Sequence, residues 1–338
     1  MSTDGQTLFE AFLNQHDSQA WSLVTGDLAA SIHDVDKTAT RIWFAFFPLD
    51  LARGLQQAEN PQQFAADLLL FGNYLLKDQI DTSHRFLYGH RYWPQVKAAV
   101  GDLAASERVP SSLDLSAQIR EVAGGVAASA GVRESLIVGI TAVAFMTLQQ
   151  VGLAAFAAYP GTVSLDRKLI SRTPEQVLSD RAKGDNQGMF GFLRGERKVY
   201  PVTFDENDKT AKFELISTQE ITTAAANDKR DYTMRDERCV RGEGPIPVQC
   251  RSAACGTCWV GVLSGAEKLS EVGRLEGARI KTFGYIDSEE PKPIIRLACR
   301  AQGFGAVSIV IPPWNGVYGD FLHRWREHQG EKEKSAST

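Results

Sequence analysis

Four of the five cysteines in this 338-residue chain stand at spacings that suit a metal centre. Cys250, Cys255 and Cys258 follow a C-x4-C-x2-C pattern, and Cys299 comes further along the chain. This arrangement is typical of the ligands of a 2Fe-2S cluster, because three thiolates from one short loop can converge on two irons. The residues between them are mostly small, which lets backbone N–H groups approach sulfur. The spacing predicts a 2Fe-2S cluster held by these four cysteines.

A structural zinc site is the alternative use of the same thiolates. Zinc ribbons normally pair two C-x2-C knuckles, whereas this chain has one, at Cys255 and Cys258. The fifth cysteine, Cys239, lies outside the pattern, and we expect a free thiol there rather than a ligand. An odd set of cysteines confined to residues 239–299 argues for a metal site over a disulfide framework.

Residues 198–315 resemble the plant-type 2Fe-2S ferredoxin family. The resemblance rests on the cysteine spacing, on the small residues Ala253 and Gly256 inside the loop, and on residues 297–301 around the fourth cysteine. A final strand over residues 307–311 also fits the family pattern. The family fold is a β-grasp, a mixed sheet crossed by a helix, so the resemblance implies this fold.

The resemblance also implies how the cysteines are used. Cys250 and Cys255 would hold one iron, and Cys258 and Cys299 would hold the other. Proteins of this family pass single electrons, so one-electron transfer is the implied activity. The cluster supplies the redox chemistry, while the protein supplies ligation, a low dielectric and docking.

Two segments depart from the family pattern. Residues 264–290, between the third and fourth cysteines, are extra compared with compact photosynthetic ferredoxins. Residues 222–244 are polar where the family has an amphipathic helix. Between Cys250 and Arg300 basic residues slightly outnumber acidic ones, so an acidic face for steering towards partners is not evident. These departures favour a dedicated redox partner or a place in a larger complex.

The patterns in residues 1–183 predict a helical domain. Asn60 and Thr173 each precede a proline, which is typical of helix starts. Apolar residues recur at helical spacing over residues 64–75. The predicted role of this domain is docking or assembly.

A change of composition separates this domain from the rest of the chain. Glycines alternate with charges over residues 184–197, which predicts a linker. Residues 198–318 form the predicted ferredoxin-like domain, which opens with a strand–turn–strand pattern. Residues 319–338 predict a short helix, over 319–329, and a polar tail. The predicted fold class is therefore α+β, a helical N-terminal domain followed by a β-grasp domain.

Three histidines of the N-terminal part are candidates for a second metal or haem site. His33 lies beside Asp34 and Asp36, and His84 and His90 flank an aromatic segment. Such side chains can hold a metal or haem between helices. The alternative is that they cap helices and satisfy buried polar contacts, since no His-x3-His or Glu-x-x-His pair occurs among them.

An uncharged, largely apolar segment over residues 135–165 has two interpretations. Its length could span a bilayer. Gln149 and Gln150 fall within it and small residues dominate its second half, which favours a buried core helix. No Sec-type signal or twin-arginine pair is evident, so we expect a cytoplasmic protein, with membrane association as the alternative.

No other strong functional motif is evident. The chain has no P-loop, no Gly-x-Gly-x-x-Gly after a strand and no stripe dense in lysine and arginine, so we expect neither nucleotide nor nucleic acid. No acid–base constellation stands out, which favours an electron carrier over a stand-alone enzyme. We predict an electron-transfer subunit or accessory protein of a larger oxidoreductase. A cluster-based redox sensor, and a self-contained oxidoreductase with a second metal or haem in the helical domain, are the alternatives.

Overall fold

The computed structural model describes residues 6–106, 112, 114–183, 198–285 and 291–336. The chain forms two compact units. The first contains Met1–Arg53 and Leu75–Leu178, and the second contains Gly54–Tyr74 and Ser179–Thr338. The predicted linker, residues 184–197, lies outside the described residues.

Helices dominate the first unit, and the described strands belong to the second. Within the described residues the helices are α1 (Leu8–Asn14), α2 (Ser18–Leu28), α3 (Asp34–Phe46), α4 (Leu49–Gln57), α5 (Pro61–Asp67), α6 (Trp93–Ala105), α7 (Leu115–Ala130), α8 (Ser135–Ala158), α9 (Arg167–Ile170), α10 (Pro174–Lys183), α11 (Ile221–Ala225), α12 (Arg274–Phe283) and α13 (Gly319–Ala336). The strands are β1 (Phe71–Gly72), β2 (Val199–Thr203), β3 (Lys212–Ile216), β4 (Trp259–Ser264), β5 (Ile295–Leu297), β6 (Val307–Val310) and β7 (Trp314–Asn315). This combination confirms the predicted α+β class.

Helix α8 is the central element of the first unit. It packs against α1, α3, α6 and α7, and its residues from Leu136 to Leu148 are all buried. The helix is long and apolar enough to cross a membrane, but 78% of its most apolar window is buried inside the unit. At Gly152 the backbone leaves the helical region, with φ of 78°, and the next amide, of Leu153, donates to the Glu10 carboxylate at 2.7 Å. This burial is what the core-helix interpretation predicts.

Both predicted helix starts have the capping contacts that their sequences indicate. The Asn60 side chain accepts hydrogen bonds from the amides of Gln62 and Gln63, at 3.1 and 3.0 Å. Thr173 and Gln176 form a reciprocal capping box, with nitrogen–oxygen distances of 2.9 and 3.2 Å. These contacts satisfy amides that have no partner inside the first helical turn.

Two helix ends differ from the sequence expectation. Helix α5 ends at Asp67 although the apolar spacing continues to Leu75, because the chain turns into strand β1 at Phe71. Helix α13 continues to Ala336 rather than ending within residues 319–329. Its glutamate and lysine residues are good helix formers, so the polar composition of this segment does not end the helix.

The second unit is built on a mixed, five-stranded sheet with the strand order β3-β2-β6-β4-β5. Strands β2 and β3 form the predicted antiparallel hairpin, with Val199 opposite Ile216. Strand β2 also pairs with β6 in parallel, and β4 is antiparallel to both of its neighbours. The loop with three of the predicted ligands comes directly before β4 in the sequence, and the fourth cysteine comes shortly after β5.

A segment from the N-terminal half, residues 54–74, belongs to this second unit. Its strand β1 pairs with β7, and the Val317 amide donates to the Leu68 carbonyl at 2.7 Å. The rings of Phe64 and Phe321 meet edge to face with centroids 5.1 Å apart. The domain boundary predicted from the sequence, at residue 183, would instead assign residues 54–74 to the helical domain.

Candidate metal centre

The loop that carries Cys250 folds so that its backbone amides face the sulfur. The amides of Ser252 and Ala254 donate to the Cys250 sulfur at 3.4 and 3.3 Å. Arg251 and Ala253 have φ of 54° and 62°, a left-handed conformation that costs free energy for residues with a Cβ atom. The loop therefore keeps an unfavourable backbone conformation in which two N–H groups converge on one sulfur, as ligation of a metal cluster requires.

These contacts change the acidity of the Cys250 thiol. Burial raises its pKa, but hydrogen bonds from Ser252, Ala254 and Cys255 outweigh this effect and bring the pKa down to about 6. A thiolate is the form that binds metal. The loop thus stabilises the anionic sulfur of Cys250 near neutral pH.

The four cysteines of the spacing pattern lie close enough to affect one another's ionisation. Contact with Cys255 lowers the pKa of Cys250. Contact with Cys299 raises the pKa of Cys258, which the charge of Cys255 raises further. Cys258 and Cys299 are buried, whereas Cys250 and Cys255 are partly exposed. One end of the centre is therefore shielded from solvent and the other lies close to it.

The two buried cysteines, Cys258 and Cys299 (the inner pair), have pKa values shifted in opposite directions. The hydrogen bond with Cys299 and then burial hold the pKa of Cys258 well above its usual range. The same hydrogen bond lowers the pKa of Cys299. The two thiols therefore shift each other's pKa in opposite directions, as coupled titrating groups do.

Strands β4 and β5 position the inner pair. Cys258 comes directly before β4, and one residue, Ala298, separates Cys299 from the end of β5. Trp259 on β4 lies opposite Leu297 on β5, and the Ala298 amide donates to the Cys258 carbonyl at 3.0 Å. The antiparallel pairing of two strands distant in sequence therefore sets the separation of these two thiols.

The donor set fits a two-iron cluster better than a single ion. A structural zinc site would bring four ligands to one centre, usually from two C-x2-C knuckles, and the cysteines of this chain supply one such knuckle. Four cysteines at this spacing, with two amides directed at the Cys250 sulfur, suit a cluster with two irons.

Comparison with known families decides between these possibilities. Residues 207–302 match the family model of the 2Fe-2S iron-sulfur cluster binding domain. The C-terminal part of the chain is a 2Fe-2S domain. Its cofactor is a 2Fe-2S cluster, and its general activity is iron–sulfur electron transfer, so the predicted family and cofactor are confirmed. No curated protein and no solved structure matches the chain.

A buried ion pair that sequence reasoning missed supports the second half of the 2Fe-2S domain. The Arg296 guanidinium donates to both carboxylate oxygens of Glu276, at 2.9 and 3.0 Å. Their side chains are 0% and 2% exposed. Glu276 also accepts from the Leu297 amide at 3.0 Å, and Arg296 donates to the Ser270 carbonyl at 2.7 Å. The available sequence signal was an arginine placed between apolar residues of the short strand that precedes Cys299.

Aromatic side chains fill the interior of the 2Fe-2S domain next to the cysteine loop. The Trp259 ring stacks on Tyr285 with centroids 3.9 Å apart and an interplanar angle of 12°. Its indole N–H donates to the Trp314 carbonyl at 2.8 Å. Trp259 is fully buried, so it acts as a core side chain that fixes the start of β4.

The remaining cysteine lies apart from this arrangement. The buried Cys239 thiol donates to the Pro245 carbonyl at 3.3 Å. Burial raises its pKa to about 12, so it remains a protonated thiol and is a poor metal ligand. This agrees with the expectation of a free thiol.

The structure brings together two of the three candidate histidines. The Nδ1 atoms of His84 and His90 are 2.9 Å apart, and His84 Nε2 lies 3.2 Å from the Ile80 carbonyl. His33 instead caps helix α3, where its Nδ1 accepts from the Val35 amide at 3.2 Å. The three do not form a shared ligand set within the described residues.

The acidic neighbours of His33 also have structural partners. Asp36 is buried and accepts from the amides of Tyr88 and Gly89, at 2.6 and 2.7 Å. Asp34 pairs with Lys37 at 2.8 Å at the protein surface. These contacts match the alternative in which the polar groups cap helices and satisfy buried backbone.

Proposed function

We propose that Cys250, Cys255, Cys258 and Cys299 hold the 2Fe-2S cluster, and that the chain passes single electrons as a subunit or accessory protein of a larger oxidoreductase. The observation that carries the ligand assignment is the loop geometry that directs two amides at the Cys250 sulfur, and the mutual influence of the neighbouring thiols on their pKa values supports it. The bound cluster supplies a one-electron couple, and the chain supplies ligation and shielding.

The two pairs would have different roles in electron transfer. Cys258 and Cys299 are buried and lie beside β4 and β5, so they would anchor the cluster to the sheet. Cys250 and Cys255 are partly exposed. Electrons would enter and leave on their side, because this side brings the cluster nearest to a docked partner.

The surface next to the loop supports a dedicated protein partner. Arg251 in the loop forms an ion pair with Glu243, which places the end of the polar segment 222–244 against the loop. On that segment Met234 is 95% exposed and Val240 is 49% exposed. Its charges are largely paired with each other, as in the pair between Arg241 and Asp231 at 2.7 Å. Exposed apolar side chains among neutralised charges favour a specific contact over long-range steering.

Spectroscopy with metal analysis tests the ligand assignment. Anaerobically purified protein should contain about two irons per chain and give an S = ½ EPR signal after reduction. Replacing any one of the four proposed ligands by serine, as in Cys299→Ser, should abolish or strongly change the signal. The matched control, Cys239→Ser, should leave it unchanged. Zinc without an EPR signal would contradict the proposal, and iron well above two per chain would point to His84 and His90.

The subunit role needs a separate experiment. Affinity purification of the full chain from native cells, under anaerobic conditions, should recover a larger oxidoreductase. Double substitution of Met234 and Val240 by serine should weaken this recovery while leaving the EPR signal intact. Recovery of the chain alone would contradict the subunit role and would leave the cluster assignment standing.

A further inference from the structure

Tyr285, in the segment that is extra relative to compact ferredoxins, contacts the cysteine loop directly. Its hydroxyl lies 2.7 Å from the Gly256 carbonyl and 3.0 Å from the Gly316 carbonyl. A hydroxyl has one hydrogen, so it donates to the nearer carbonyl or shares the bond between both. Tyr285 is buried, and burial holds the pKa of its phenol well above the usual range. Because carbonyl oxygens can only accept, the Tyr285 hydroxyl is the donor in this contact.

The residue that receives this hydrogen bond lies between two of the proposed ligands. Gly256 follows Cys255 and has φ of 72°. A Cβ atom at this position would be 2.7 Å from the Tyr285 hydroxyl and 3.1 Å from the Phe283 ring. Only glycine fits in this conformation and this space. Because C=O and N–H of a trans peptide point in opposite directions, fixing the Gly256 carbonyl also fixes the Thr257 amide.

Thr257 connects this hydrogen bond to the sulfur of Cys255. Its hydroxyl lies 3.1 Å from the Cys255 sulfur and accepts from the Gln249 amide at 3.2 Å. The residue whose amide is fixed through the Gly256 carbonyl is therefore also in contact with the Cys255 sulfur.

The end of helix α12 places Tyr285 for this contact. Gly284 ends the helix with φ of 87°, and its amide and that of Tyr285 both donate to the Ile280 carbonyl. A Cβ atom at Gly284 would be 2.8 Å from the Gly319 amide. The helix is fixed in turn by the buried pair of Glu276 and Arg296. The helix end and the buried ion pair thus fix the position of Tyr285, and its hydroxyl contacts the cysteine loop.

We propose that Tyr285 is a positioning residue for the 2Fe-2S centre, whose hydroxyl holds the Gly256 carbonyl and thereby keeps residues 255–258 in the conformation that receives the cluster. This inference rests on the proposed ligation by Cys255 and Cys258. It gives the extra segment a role at the metal centre: the segment supplies a hydrogen bond that the short loop cannot make by itself.

Tyr285→Phe removes only the hydroxyl and keeps the ring that stacks on Trp259. A chelator should then extract iron from the variant about three- to ten-fold faster than from the wild-type protein, the range expected for loss of one buried hydrogen bond. The reduced EPR signal should broaden, because the loop loses a fixed contact near one iron. A purely structural tyrosine would lower thermal stability without changing the EPR line shape.

Tyr318→Phe is the matched control. Tyr318 is also buried beside the same aromatic residues, with its ring 6.2 Å from that of Tyr285. Within the described part of the chain its hydroxyl has no hydrogen-bond partner. This variant should keep the wild-type extraction rate and EPR line shape. Equal effects of both substitutions, or no effect of Tyr285→Phe, would overturn the inference.

A measurement on the unsubstituted protein provides a second test. Hydrogen–deuterium exchange is compared for the full chain with and without reconstituted cluster. Peptides that contain Phe283 and Tyr285 should gain protection together with the cysteine loop, and unchanged exchange there would overturn the inference. Wild-type protein that takes up no iron would instead contradict the proposed function, so the two failures are distinguishable.

Discussion

Glu276 and Arg296 neutralise each other in the interior of the 2Fe-2S domain, and Arg296 lies three residues before Cys299. Removing two charges from water costs free energy that is recovered only while both partners are present. Glu276→Gln should therefore lower the free energy of unfolding of this domain by about 3–5 kcal/mol. Urea unfolding followed through the visible absorbance of the cluster measures the change.

Two comparisons make this prediction specific to the buried pair. Replacing Glu276 and Arg296 together by leucine should cost less than Glu276→Gln, because no unpaired charge is left inside. Arg133 and Glu175 form an exposed pair, with side chains 57% and 61% exposed. Glu175→Gln should change stability far less than Glu276→Gln, because water screens an exposed ion pair. A similar loss for the buried and exposed pairs would show that burial is not the cause.

The buried histidine pair makes the stability of the helical unit depend on pH. Burial and then Arg85 and Arg91 lower the pKa of His90 to about 4, and burial lowers the pKa of His84 as well. The folded protein stays neutral at these sites while the unfolded chain takes up protons below pH of about 6.5. The free energy of unfolding should thus fall by about 2 kcal/mol at His90 between pH 6.5 and 5. Chemical denaturation of the full chain at several pH values measures this.

Substitution identifies the source of that pH dependence. His90→Gln should be less stable than wild type at pH 7, because the contact with His84 is lost, but its stability should fall less steeply towards pH 5. His323, whose side chain is 74% exposed, provides the control, and His323→Gln should keep the wild-type slope. An unchanged slope in His90→Gln would assign the effect to other groups.

Gly256 should tolerate no side chain. Gly256→Ala combines a left-handed backbone with a contact of 2.7 Å to the Tyr285 hydroxyl, and each factor costs about 1–3 kcal/mol. We expect a variant that assembles little cluster. Gly277→Ala is the control, since its Cβ would meet only Val272 at 3.4 Å and alanine favours the helix by about 0.5–1 kcal/mol. Iron content per chain and thermal stability would show whether the two glycines differ in this way.

The contact between residues 54–74 and helix α13 should contribute to the stability of the 2Fe-2S unit. Phe321 packs against Phe64 and closes over Gly54. Phe321→Ala should lower the free energy of unfolding by about 2–4 kcal/mol, somewhat less than for a fully buried phenylalanine. Leu275→Ala, at a side chain that is 49% exposed, should have a small effect. Equal melting temperatures for both variants would contradict the assignment of this segment to the unit.

The metal centre could be predicted from the sequence because most of the residues that define it lie close together in the chain. Three proposed ligands lie within residues 250–258, and their spacing is a direct consequence of how one loop must wrap two irons. Helix starts were predictable for the same reason, since the Asn60 cap involves only the next few residues. The mixed sheet followed from the family resemblance rather than from strand patterns.

The features that were missed depend on partners distant in sequence. Apolar spacing predicted a helix over residues 64–75, but Leu69 adopts a φ of 51° and the chain pairs with β7. Nothing near residue 71 indicates a partner near residue 314. The roles of Glu276 and Tyr285 could not be predicted either. Glu276 contacts Arg296, and Tyr285 contacts Gly256, only in the folded chain.

Pairing of β1 with β7 also sets an order of events during synthesis. Residues 54–74 leave the ribosome long before the strand and helix that cover them, β7 and α13, because most of the helical unit and of the sheet lies between them in the sequence. Contacts between such distant segments form slowly, because a long loop must close first. The apolar side chains of the early segment therefore stay uncovered until β7 and α13 have been made. A chain truncated before residue 314 would keep all four proposed ligands and still lack the strand that completes their domain.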